Sequence, residues 1–337
     1  MNHQLKPVSD QVIVITGASS GIGLATALAA GRQGARLVLA SRNGSALTDA
    51  ERQVREAGGE AVLHVVADVG RRSDLEAVAQ AAIERFGGFD TWVNNAGVSI
   101  WGKLVDVSDE DHRKLFETNF WGLVYGSTIA VDHLRRKGGA LVNVGSVASD
   151  MALPIQGMYA ASKHAVKGFT DALRMELEAD GAPVSVTLIK PTSIDTPFPR
   201  HARNYTGQEA KLPPPVYPPE EVARAILHAA AHPARDIYVG GAAKMMASMQ
   251  KHAPGTMDWI GANVMVGQQL RDEPVSDPHG ALHHAGRDGA VRGDQPGHVM
   301  GSSAYTRASL HPIVGAALFS AAGIAAAACL SAGRQRH

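Results

Sequence analysis

From Gln11 to about Gly240 the chain alternates short, almost wholly apolar runs with longer stretches of helical length. The runs at 12–15, 36–39, 61–66, 89–93, 140–144, 184–189 and 236–239 are rich in β-branched residues and lack the in–out alternation of a strand with one wet face. Continuous apolar character is what a strand covered on both faces requires. Between the runs lie 22–33, 44–57, 73–86, 108–136, 158–179 and 219–231. Several of these end at a glycine (Gly34, Gly58, Gly87, Gly138, Gly181), which suits a left-handed C-terminal cap. Seven strands joined by crossover helices predict an α/β fold with a doubly wound, parallel, seven-stranded sheet followed by a C-terminal extension.

The first strand runs straight into Thr16-Gly17-Ala18-Ser19-Ser20-Gly21-Ile22-Gly23, and a helix follows. Glycines at such a junction let the backbone approach a pyrophosphate, which then meets the exposed N–H groups of the helix start. No Gly-Lys-Ser/Thr closes the loop, so it is not a Walker motif. A ribose with a free 2′-hydroxyl is held by an acidic residue about 20 positions further on. Here Ser41 and Arg42 stand at that place, a pair suited to a 2′-phosphate, so the reading is NADP(H) over NAD(H). The plainer alternative is an Arg42 that points into solvent.

Tyr159 and Lys163 stand one helical turn apart on one face. A nearby cation favours the phenolate and lets a tyrosine exchange protons at neutral pH. A surface i, i+4 pair would show the same spacing. Three features favour the chemical reading. Ser146 follows the fifth strand, and Asn94-Asn95-Ala96-Gly97 follows the fourth, both at the sheet edge where open α/β folds bind ligands. Asn119 lies inside the helical stretch between them, where a polar side chain needs a partner.

On these motifs the chain resembles the short-chain dehydrogenases/reductases over about residues 10–240. Thr16 to Gly23 match the TGxxxGxG motif, Asn94 to Gly97 the NNAG motif, and Asp68 the acidic residue beside the adenine. Asn119, Ser146, Tyr159 and Lys163 match the catalytic tetrad. The resemblance implies a Rossmann fold and hydride transfer between nicotinamide and an alcohol or carbonyl carbon. Tyr159 would then be the general acid/base, Lys163 would lower its pKa and hold the ribose, and Ser146 would polarise the substrate oxygen. Asn119 would hold a relay water through its carbonyl. It also implies cofactor contacts at Gly17, Ser19, Ser20, Gly21, Ile22, Gly23, Ser41, Arg42, Asp68, Val69, Asn95, Ala96, Gly97, Tyr159, Lys163, Pro191, Ile194 and Thr196. Where the family has Pro-Gly after the sixth strand, this chain has Pro191-Thr192. The segment 196–217, with Phe198, His201, Tyr205 and three consecutive prolines, is read as a substrate lid. Trp101, Leu153, Ile155 and Phe198 favour a hydrophobic alcohol, aldehyde or ketone over a charged sugar. A homodimer or homotetramer is implied as well. Two rival readings are a non-catalytic NADP(H)-binding regulator and an epimerase or dehydratase on the same fold.

The 32 basic and 32 acidic residues cancel, which argues against a nucleic-acid binder. A single cysteine, Cys329, excludes an intrachain disulfide framework and a CxxC zinc site. With no secretory signal at the N-terminus, a cytoplasmic location is expected. The catalytic domain is placed at 1–245 and a flexible linker at 246–312. No metal site is expected, and His279, His283 and His284 read as a solvated tract. Residues 313–330 carry no charge, and eight of these 18 are alanine. As a helix they would rise about 27 Å, just short of a bilayer core of about 30 Å. They are read as a membrane anchor or a helix docked on protein.

Overall fold

The computed structural model describes residues 4–286, 289–294 and 296–310. Its strands β1 (Val12–Thr16), β2 (Arg36–Ser41), β3 (Val62–Val66), β4 (Thr91–Asn94), β5 (Gly139–Val144), β6 (Val184–Pro191) and β7 (Asp236–Val239) form one parallel sheet. The order is β7-β6-β5-β4-β1-β2-β3, the doubly wound arrangement expected from the apolar runs. The helices are α1 (Gly21–Arg32), α2 (Gly44–Glu56), α3 (Arg72–Phe86), α4 (Asp109–Phe116), α5 (Gly122–Lys137), α6 (Gly157–Ala179) and α7 (Pro219–Ala231). The five cap glycines all adopt positive φ, between 64° and 102°.

Alternate residues of each strand feed opposite layers. Ile13, Ile15, Leu37, Leu39 and Val142 pack under α1, α2 and α7 with Leu24, Leu47 and Ile226. Val12, Val14, Val38, Trp92 and Leu141 pack under α3, α5 and α6 with Leu75, Leu134 and Leu177. Each such aliphatic side chain contributes about 1.5–3 kcal/mol on burial. The edge strand β3 is less covered, with only Val62 fully buried.

Two expectations are corrected. The stretch 108–136 is not one uninterrupted helix: a π turn, Glu117–Trp121, separates α4 from α5, and Gly122 N–H bonds Glu117 O. The wider turn seats Asn119. The extension over 246–312 is also not a flexible linker in its described residues. Helices α8 (Gly241–His252) and α9 (Pro254–Ile260) bury Ala243 and Met257, with Met265 beyond them, against Val147 and Met151. Leu270–Pro274 pairs antiparallel with Gln208–Ala210. The helix Ala304–Leu310 docks on β7, where Gly240 N–H donates to Thr306 Oγ1 at 3.0 Å. Apolar side chains spaced along this segment supply the burial that composition alone concealed. The apolar stretch 313–330 and Cys329 lie outside the described residues. Among the described residues no helix is long and apolar enough to cross a membrane.

Leu141 is fully buried at the sheet centre, whereas Val105 is 90% exposed. Leu141→Ala should lower unfolding free energy by about 2–5 kcal/mol, and Val105→Ala should leave it within about 0.5 kcal/mol. Urea denaturation of both variants checks the contrast.

Candidate active site

At the carboxyl edge β1 and β4 lie side by side, and their connections leave toward opposite ends of the sheet, which opens a crevice. Thr16 and Asn95 brace its floor. Thr16 Oγ1 accepts from the backbone N–H of Asn95 (3.0 Å) and Ala96 (3.2 Å). Asn95 Nδ2 in turn donates to Thr16 O (2.9 Å) and Gly17 O (3.1 Å). Gly17 holds φ 64°, and a Cβ there would sit 2.8 Å from Ala96 Cα. A side chain on Gly23 would collide with Gly17 O. The turn is therefore tight enough for backbone to face a ligand directly. No side chain caps the N-terminus of α1, so its first-turn amides are left to other acceptors.

A cavity of about 290 Å³ runs from this turn to the far side of the crevice. Its wall includes Gly17, Ser19, Ser20, Gly21, Ile22, Ser41, Arg42, Asp68, Val69, Asn95, Ala96 and Gly97 at one end. Ser146, Tyr159, Lys163, Pro191, Ile194 and Thr196 stand further along. Gly23 and Asn119 are the two expected site residues that do not line it. Gly23 lies behind the turn and permits its closure. Asn119, 1% exposed, donates to Val98 O (2.9 Å) and Ser162 Oγ (3.2 Å) and accepts from Val98 N–H (2.8 Å). Its side chain thus fixes the strand exit beside Gly97 instead of facing the cavity.

Ser146 Oγ accepts from Ala148 N–H at 3.1 Å in a capping box, and Ser146 and Tyr159 line the same cavity. Lys163 is 4% exposed and its Nζ donates to Val144 O at 2.9 Å, 5.7 Å from the Tyr159 ring centre. Burial pushes the Tyr159 phenol up to about 12, with the Ser146 hydrogen bond pulling the other way. Burial also lowers the Lys163 ammonium to about 8. The expected depression of the phenol by Lys163 does not show; burial disfavours the charged form of both groups.

The remaining wall is apolar, with Trp101, Leu153, Phe198, Met246 and Met265, and Gln156 Nε2 donates to Gln269 Oε1 at 2.5 Å among them. Phe198 sits between Trp101 and Tyr159, edge-on to the first and tilted against the second, with ring centres 6.2 and 5.7 Å away. Ile155 does not line the cavity; it packs on Trp101 with φ 56°, and its carbonyl accepts from Gly102 N–H at 2.8 Å. Tyr205 also faces elsewhere, donating to Asp111 Oδ2 at 2.8 Å. Thr192 is accommodated because its methyl faces Gly240, where a Cβ would stand 2.5 Å away. The reading of the sequence missed Thr118, Met246, Met265, Gln269, Ala281, Ala285 and Gly286 on the wall. Trp101 Nε1 and Thr118 Oγ1 are buried there without a hydrogen-bond partner among the described residues. Of the three histidines expected in a solvated tract, two are engaged, His279 Nδ1 with Arg203 (2.8 Å) and His283 Nε2 with Asp111 (2.7 Å), while His284 is exposed.

The sequence model for short chain dehydrogenase matches residues 11–206. The chain is 48% identical over 320 residues to the uncharacterized oxidoreductase YxnA of Bacillus subtilis (strain 168), covering 94% of this chain and 89% of that one. A short chain dehydrogenase/reductase from Burkholderia phymatum in complex with NAD superposes with a TM-score of 0.65 at 28% identity, over 76% of this chain and 96% of that one. L-sorbose reductase from Gluconobacter frateurii, complexed with NADPH and L-sorbose, gives 0.62 at 28% identity, over 72% and 98%.

The two shifted groups give stability a pH signature. Between about 8 and the ordinary lysine value of 10.5 the unfolded chain holds a proton on Lys163 that the folded chain lacks, so this residue's contribution grows as pH rises. Tyr159 acts oppositely above its ordinary 10.0, where only the folded chain keeps the phenol proton. The urea midpoint of the wild type should therefore rise relative to Lys163→Met from pH 8 to pH 10. A constant difference over that range would refute the assignment.

Proposed function

The chain belongs to the short-chain dehydrogenase family, and on that premise we propose that it is an NADP(H)-dependent oxidoreductase acting on an uncharged, largely apolar alcohol or carbonyl compound. One observation carries the reading: Ser146, Tyr159 and Lys163 meet on the wall of the same cavity that the glycine-rich turn and Arg42 line. The tight turn and the uncapped α1 start fit a dinucleotide pyrophosphate, and the absence of a carboxylate at the end of β2 fits a 2′-phosphate. When bound, the nicotinamide supplies or accepts the hydride.

The residues of the chain manage the proton and the orientation. Ser146 and Tyr159 bind the substrate oxygen from one side. In reduction the Tyr159 hydroxyl gives that oxygen its proton as the carbon gains the hydride; in oxidation the reverse transfer occurs. Lys163 spends one N–H on Val144 O and keeps two for the ribose hydroxyls. Trp101, Leu153 and Phe198 exclude water from the reacting carbon. Half-exposed Trp121 and exposed Met175, on the outer side of the π turn and α6, suit a contact between two copies of the chain.

Tyr159→Phe should reduce turnover of a carbonyl panel about 10²–10⁴-fold while NADPH still binds. Stopped NADPH oxidation at 340 nm alongside a binding titration checks both halves. Loss of charge-assisted hydrogen bonds in Arg42→Ala should weaken NADPH about 10–100-fold more than NADH. Equal weakening of both coenzymes would count against the 2′-phosphate reading.

A further inference from the structure

We propose that the extension residues 276–286 and 289–293 are part of the cofactor site: a strap that closes the adenosine half of the cavity and sets how fast the dinucleotide leaves. The proposal rests on the dinucleotide reading above. Ala281, Ala285 and Gly286 line the cavity together with Ser41 and Arg42. On the cofactor side the strap is tied almost wholly through its backbone. Arg42 donates to Leu282 O at 3.2 Å and to Ala281 O, and Asn43 Nδ2 donates to Gly286 O at 3.1 Å. Gly289 N–H donates to Ser19 O and Gly21 N–H to Ala290 O, both at 2.9 Å, so the strap also clamps the glycine-rich turn.

On the opposite bank the same segment is anchored to the substrate side. Leu282 is fully buried with Val98, Ile100, Val107 and Leu115. Ala281 N–H donates to His201 O at 2.8 Å, Asn204 N–H donates to Pro278 O at 2.9 Å, and Arg292 pairs with Glu220 at 3.0 Å. A chain fastened to both banks of a cleft closes it from above, so a molecule in the adenosine half cannot leave sideways while both sets of ties hold. The two carbonyls on Arg42 also fix the guanidinium on the cavity wall, so coenzyme choice depends on a segment outside the matched 11–206 region.

Two variants loosen the strap without touching the proposed contacts to cofactor. Gly280 has φ 55°, and a side chain there would run into Ala202 O, so Gly280→Val lifts the strap from the substrate bank. Arg292→Glu reverses the pair with Glu220 at a half-exposed position and guards against a Gly280→Val chain that fails to fold. NADPH release, followed by stopped-flow displacement, should be at least about 10-fold faster in the variants than in the full wild-type chain, equivalent to about 1.4 kcal/mol. Bound NADPH should also slow amide exchange over 276–286. Folded variants that release NADPH at the wild-type rate, or more slowly, overturn the strap and leave the function standing. A wild-type chain that binds neither NADPH nor NADH overturns the function, and the strap with it.

Discussion

The hydrogen bonds that join Asn95 to Thr16 O and Gly17 O hold together the two strand ends on which the whole site is built. β1 and β4 are neighbours, but the chain leaves β1 toward β2 and enters β4 only after winding through β3. Without a tie between their carboxyl ends, the glycine turn would have no bond to β4. With it, the turn, Gly97 and the exit toward Val98 form one rigid floor. Asn119 extends that floor, since its side chain is bonded to both backbone groups of Val98. Hence Asn94-Asn95-Ala96-Gly97 and Asn119 matter to chemistry through geometry, even though Asn119 does not line the cavity.

Against this floor stand two groups whose charged forms burial disfavours, the Tyr159 phenolate and the Lys163 ammonium. Lys163 has no acidic partner; a backbone carbonyl is the acceptor it has found. Burying an ammonium in this way costs stability, and it is tolerated where a ligand completes the coordination. Tyr159 is shifted in the opposite direction by the same burial. Ser146, whose oxygen accepts from Ala148 N–H, stands on the same wall and counters part of the rise at Tyr159.

The sheet could be read from the sequence because its strands have no wet face, so each run was apolar throughout and bounded by glycine or a polar turn. Tyr159, Lys163, Ser146 and Arg42 could be placed because open parallel sheets present ligands at one edge, and these residues follow strands or sit one turn into helices there. The π turn at Glu117–Trp121 could not be read, since a single extra residue leaves the helical pattern of apolar side chains on either side intact. The direction of the Tyr159 shift was also hidden: spacing shows that a cation is near, but only packing shows the burial that raises the phenol.

The extension was misjudged for a different physical reason. Periodicity and charge patterns report side chains, while the segment's contacts to the cofactor bank are made by the carbonyls of Ala281, Leu282, Gly286 and Ala290 and the N–H of Gly289. A segment that binds through its backbone benefits from glycine and alanine, because small residues let the main chain approach, and such a composition resembles that of a linker. The anchoring side chain, Leu282, is a single apolar residue amid polar neighbours and produces no pattern. The match to the Bacillus subtilis oxidoreductase spans 94% of this chain, so it runs well past the 206 residues at which the family model stops. Ala281, Ala285 and Gly286 thus bring to the cavity wall the part of the chain that looks least structured from its sequence.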